Sequence, residues 1–135
     1  MFGLAVGVDL TRRDLQLQAR QVGRPWEAGK SFDRSAPITA IQPTDGTMLP
    51  VAGEISLSVN GATKQRGDLA EMIWDCAEVV SHLSRLFELM PGDLIYTGTP
   101  AGVGALSAGD VVEGHIVGIG SLTITIGPRR CSEFS

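Results

Sequence analysis

"EISLSVNGATKQRG" (Glu54–Gly67) decides how this chain folds. Ile55, Leu57 and Val59 alternate with polar neighbours, the period-two pattern of a strand with one buried face. Asn60-Gly61 follows, a dipeptide that tight hairpins favour because both residues tolerate positive φ. "ATKQRG" is then the short returning strand. Further along, "DVVEGHIVGIG" (Asp110–Gly120) and "SLTITIG" (Ser121–Gly127) are two adjacent β-rich runs suited to antiparallel pairing. The sequence therefore predicts an α+β fold dominated by sheet rather than a βαβ layering.

The helices are fewer. Asp68 can cap a helix with Glu71 at the reciprocal position. Leu69, Met72, Ile73, Cys76, Val79, Val80, Leu83, Leu86 and Phe87 then recur at three- and four-residue spacing, one apolar stripe ending at "MPGD" (Met90–Asp93). This predicts one long helix. A short one is expected in "TRRDLQLQARQVG", with Thr11 as N-cap, Asp14 three residues on, and Gly23 as the stop before Pro25. "FGLAVGV" (Phe2–Val8) has the look of a buried strand, and "DLIY" of a strand entering the glycine-rich loop "TGTPAGVG". Between Arg24 and Pro50 lies a turn-rich passage with four prolines and no period. So long an irregular segment in a compact domain is more often functional than idle.

Bulk properties narrow the classes. A chain of 135 residues fits one domain, in which roughly two thirds of the unfolded surface can be buried. Hydrophobic residues are 43% and charged residues 19%, ordinary values for a globular protein. The net charge is −4, and no basic block exceeds Arg12-Arg13 or Arg129-Arg130. That argues against nucleic acid and against an anionic membrane surface as partners. Cys76 and Cys131 have no CxxC or Cys/His spacing, so neither a zinc site nor a disulfide framework is implied. Cys76, on the apolar stripe, is expected to be a buried structural thiol. No apolar run reaches the ~18 residues needed to span a bilayer, and no signal peptide is recognisable. A cytoplasmic protein is the default expectation.

Asp9, Arg13, Gln16 and Lys30 form the first chemical constellation. Asp9 sits at a strand–helix junction, and Arg13 and Gln16 share a helix face at i and i+3. A carboxylate at a strand end is a natural ligand for a hard cation such as Mg²⁺. From spacing alone, a turn aspartate and a solvated arginine are the stronger reading. Lys30 has apolar neighbours in an irregular segment and could meet an enolate or carboxylate, although most lysines are merely solvated. "YTGTPAGVG" could offer backbone N–H groups and the hydroxyls of Thr97 and Thr99 to an anionic oxygen. A plain glycine-rich turn fits it equally. His82 and His115 have no Ser or Cys partner that would make a triad.

Together, "GVDLTRRDLQ", "RPWEAGKSFDRSAP", "VNGATKQRGDLAEMIWD" and "PGDLIYTGTPAGVG" resemble, in order and from about Phe2 to Ile126, the fumarylacetoacetate hydrolase family. The likeness is to its small bacterial acylpyruvate and fumarylpyruvate hydrolases. It implies a β-rich mixed roll over residues 1–126, with 127–135 as a tail. It also implies hydrolysis of a carbon–carbon bond in a 1,3-dicarbonyl acid, or decarboxylation or tautomerisation of a related oxoacid, with Mg²⁺ or Mn²⁺. By the same resemblance Asp9 is a metal ligand, and Lys30 and Arg13 are catalytic. Gln16 and Thr99 would bind substrate, a small-molecule oxoacid, and the protein would be a homodimer. The family's Glu-x-Glu metal ligands and its lid histidine and acid precede the aspartate and have no match here. The chain is thus expected to be the C-terminal portion of such an enzyme, holding one ligand of a site it cannot complete alone.

Overall fold

The computed structural model describes residues 1–44 and 49–128; Cys131 and most of the expected tail lie outside the described residues. Its main feature is a four-stranded antiparallel sheet, ordered β4-β3-β5-β6. The strands are β3 (Glu54–Val59), β4 (Ala62–Asp68), β5 (Val111–Ile116) and β6 (Gly120–Thr125). Asn60 and Gly61 have φ of 51° and 77°, the left-handed pair that a type I′ hairpin requires. The register pairs Leu57 with Gln65 but Ser58 with Thr63. Lys64 is therefore a bulge residue with no partner on β3. The expected α+β class and its hairpins are what the chain adopts.

A second layer crosses the sheet. The segment from Gly3 to Leu10 runs antiparallel to Ser35–Pro43. It begins as β1 (Gly3–Leu4) on β2 (Gln42–Pro43) and continues through a bridge between Gly7 and Ile38. Val8 N–H donates to the Pro37 carbonyl at 3.0 Å and Leu10 N–H to that of Ser35 at 2.8 Å. So "FGLAVGV" is extended, but only its first part is a regular strand. Val6 (2% exposed) and Val112 are buried between the layers. Gly114 makes room: a Cβ there would stand 3.5 Å from Val6 Cγ1 and 3.8 Å from Val8 Cγ2.

The first helix, α1 (Arg13–Gln21), ends as expected. Gly23 has φ +64°, its N–H bonds the Arg20 carbonyl, and Arg24 N–H bonds that of Ala19. This is a Schellman close. The start differs. Arg12 is the N-cap residue and no side chain caps it, because the Thr11 hydroxyl is taken by Lys30. A further turn of helix, α2 (Glu27–Lys30), follows inside the passage that had no period.

The long helix expected from Asp68 is not continuous. Asp68 and Glu71 do form a capping box, but on a single 3₁₀ turn, Leu69–Glu71. The chain extends at Met72 and restarts as α3 (Cys76–Leu83) behind a second capping box, Asp75 with Glu78. No residue of the apolar stripe is buried, and Ile73, Leu86 and Phe87 are 95%, 75% and 63% accessible. Helix stability in proteins comes mostly from packing an apolar face, and these residues have no such packing to extend α3. Trp74 instead stacks on His82, ring centroids 4.0 Å apart. Cys76 is half-buried, and burial, followed by the neighbouring Asp75 charge, pushes its thiol up. "DLIY" forms no strand; residues 93–106 contain neither helix nor strand.

Candidate active site

The extended segment that runs on from β1 brings Asp9 into the lining of a cavity of about 750 Å³. Lys30 reaches the same point from α2. Its Nζ donates to Asp9 Oδ2 at 2.5 Å and to Thr11 Oγ1 at 3.0 Å. Two features of the backbone bring it there. Arg12 N–H donates to the Gly29 carbonyl at 2.9 Å, seating α2 on the first turn of α1. Only glycine allows that approach easily, since a Gly29 Cβ would lie 3.1 Å from the Gln16 nitrogen. Arg12 is steadied from the side by Phe32, its guanidinium 4.3 Å above the ring.

The Asp9 and Lys30 side chains are 45% and 34% exposed. An ion pair so open to solvent contributes only about 0–1 kcal/mol to stability, so its effect is to hold an ammonium at a fixed place. Arg13 and Gln16 line the same cavity. Thr99 lines it from the far loop. All five sequence-singled residues therefore border one cavity, with Asp9 and Lys30 in direct contact.

Two cavity residues escaped the sequence reading. Gln65, on β4, donates from its amide nitrogen to Thr99 Oγ1 at 2.8 Å and to the Pro100 carbonyl at 2.7 Å. Tyr96 lies over Gly7, and its hydroxyl donates to the Ala36 carbonyl at 2.9 Å. Burial raises the Tyr96 phenol, and the Asp9 charge raises it further. Neither residue has a local sequence signal, since both act on segments far along the chain. His115 also borders the cavity, its Nδ1 2.9 Å from Ser121 Oγ.

The donor set does not make a complete site for Mg²⁺ or Mn²⁺. The carboxylates lining the cavity are Asp9 and Asp14, and Asp9 is already bonded to Lys30. Among the described residues, no three of His, Cys, Asp and Glu are grouped to hold a metal. Such cations take several oxygen ligands in near-octahedral geometry. No helix of the described residues is long and apolar enough to cross a membrane.

Comparison with known proteins agrees with this architecture. Residues 1–127 match the family model for the fumarylacetoacetate hydrolase C-terminal domain. A fumarylpyruvate hydrolase from a Ralstonia species is 47% identical over 130 residues, 96% of this chain and 67% of that protein. The oxaloacetate tautomerase YcgM of Escherichia coli is 42% identical over 118 residues, 84% of this chain and 54% of that protein. The crystal structure of fumarylpyruvate hydrolase from Pseudomonas aeruginosa, in complex with Mn²⁺ and pyruvate, superposes with a TM-score of 0.91 at 52% identity. It matches 95% of this chain and 55% of that one. The chain thus spans between about half and two thirds of these relatives' length. It belongs to the fumarylacetoacetate hydrolase family, as a protein matching that family's C-terminal domain.

Proposed function

We propose that residues 1–126 form the catalytic domain of a hydrolase that cleaves a carbon–carbon bond in acylpyruvates such as fumarylpyruvate. The observation that carries this reading is the anchored Lys30 ammonium, held by Asp9 and Thr11 in the cavity that Thr99 also borders. In such a reaction, water adds to the acyl carbonyl, the C–C bond breaks, and pyruvate leaves as its enolate before taking a proton. Lys30 would meet the oxygen on which that charge develops, already oriented and needing no reorganisation. Arg13 would offer a second cation to the 2-oxo acid carboxylate, with Gln16 and Thr99 orienting the remaining oxygens. Activation of the water is assigned to none of the described residues.

A divalent cation, Mn²⁺ in the Pseudomonas relative, would find a single ligand here in Asp9. Its other ligands would come from outside the described residues. A homodimer is part of the same reading and rests on the family resemblance; a cytoplasmic location is kept with it as the default expectation for such a sequence.

The test is Mn²⁺-dependent loss of the enol absorbance of fumarylpyruvate. Lys30→Met should lower kcat by about 10²–10³-fold, the usual cost of one oxyanion-stabilising donor. Lys30→Arg should fail to restore it, since a planar guanidinium does not replace a point ammonium. The 42% identity to an oxaloacetate tautomerase supports a second reading, isomerisation or decarboxylation of an oxoacid. Enol-to-keto conversion of oxaloacetate without C–C cleavage of fumarylpyruvate would favour it. Oxoacid binding with no turnover of either, at high protein concentration with metal, would leave an inactive oxoacid-binding domain.

A further inference from the structure

Gln65 is the buried polar side chain among the described residues, 8% exposed. Its two hydrogen bonds both leave from the amide nitrogen. The bond to Pro100 fixes that orientation, because a backbone carbonyl can only accept and so must face nitrogen rather than oxygen. One N–H goes to the Pro100 carbonyl, and the other goes to the Thr99 hydroxyl. Thr99 Oγ1 therefore enters its bond as an acceptor, and its own proton is left over. Among the described residues no acceptor takes that proton. Thr99 meanwhile borders the cavity.

We infer that Gln65 is a positioning residue that makes Thr99 a hydrogen-bond donor to an anionic oxygen in the cavity. The inference rests on the reading that the cavity takes a 2-oxo acid. A freely rotating hydroxyl samples several directions and must be turned proton-first when an anion arrives. Gln65 occupies a lone pair and so biases the proton toward the ligand in advance. The loop cannot easily drift from this arrangement. Pro100 lies 3.2 Å from where a Gly67 Cβ would stand, and Gly102 (φ +104°) is pressed against the Lys64 carbonyl at the bulge.

The discriminating pair is Gln65→Glu and Gln65→Met. An ionised glutamate at this position replaces both donors with acceptors, so the Thr99 hydroxyl must turn to it and away from the cavity. Methionine removes the donors but imposes no direction. Pyruvate binding, measured by calorimetry with Mn²⁺ present, should be roughly tenfold weaker or more in Gln65→Glu than in Gln65→Met, the scale of one hydrogen bond to a charged group. The excess loss should vanish in a Thr99→Val background. It should also vanish on acidification, which protonates the introduced carboxyl and has no counterpart in Gln65→Met. Equal affinities in the two variants would overturn the inference.

A second measurement is independent of ligand. Both Gln65 side-chain amide protons should exchange slowly by NMR, and Thr99→Val should release one of them. Free exchange of both in the parent chain would also overturn it. If both stay protected while the parent chain binds no pyruvate, the oxo-acid reading falls and the hydroxyl's orientation stands.

Discussion

Replacing Gly7 by alanine tests how the extended segment leading to Asp9 is held. A Cβ at Gly7 would stand 2.7 Å from Tyr96 Cε1, 3.1 Å from Cζ and 3.2 Å from the phenol oxygen. Gly7 is not among the residues with positive φ, so alanine suits the backbone and the contact alone decides the outcome. Carbon atoms rest about 3.5–4.0 Å apart, so the ring must retreat by about 1 Å. That movement strains the 2.9 Å bond from the Tyr96 hydroxyl to the Ala36 carbonyl. Overpacking costs about 1–3 kcal/mol and the hydrogen bond about 1 kcal/mol. A total of about 2–4 kcal/mol follows. With an unfolding entropy near 2.1 cal/mol/K per residue, a chain of 135 residues should melt about 7–14 °C lower. Thermal unfolding followed by circular dichroism reads this directly. Gly7→Ala combined with Tyr96→Leu should lose less than the sum of the two single variants, because the clash is gone. A Gly7→Ala chain that melts with the parent, or losses that simply add, would refute the reasoning.

Three further outcomes are expected. Tyr96 is the chain's one tyrosine, so its phenolate absorbance can be titrated alone; Asp9→Asn should bring its raised pKa part of the way down, leaving the contribution of burial. Asp68, held low by the N–H groups of Ala70 and then Gly53, and Asp110, held low by the Ser107 N–H and then the Asn60 amide, should both govern acid unfolding. Their lowered values mean stability present above the ordinary carboxylate range and lost as pH falls through the folded values. Asp68→Asn and Asp110→Asn should therefore flatten the acid limb of the stability curve, and an unaltered limb would count against both assignments. Titrating this chain with Mn²⁺ should show weak binding that Asp9→Asn abolishes; tight binding that survives Asp9→Asn would contradict the one-ligand description.

Where the sequence predicted well, the determining residues were neighbours. Asn60-Gly61 specifies its own hairpin, Gly23 its own helix stop, and Asp68 with Glu71 a real capping box. The long helix was over-read because a helical period states only which face would be buried. With Ile73, Leu86 and Phe87 exposed and the rest of the stripe only half-buried, that period has too little packed face to act on. Thr11 misled for the opposite reason: a tertiary partner, Lys30, claimed the hydroxyl that local logic gave to the helix. Asp9, Lys30 and Thr99 were visible through motif resemblance. Gln65 and Tyr96 were not, because their significance lies in segments 34 and 60 positions away.

The bulged hairpin has a consequence for the order in which this molecule takes shape. Strands β3 and β4 meet across a two-residue turn, a contact that forms on the microsecond scale. The loop that carries Thr99 has no helix or strand of its own, and it must return from 34 residues away to find Gln65. Such closures come late, after the entropy of the intervening chain has been overcome. The loop is thus laid against a hairpin that is already formed. The loop's chemistry can be redrawn, by mutation or by evolution, while the β3–β4 hairpin that presents Gln65 goes on folding as before.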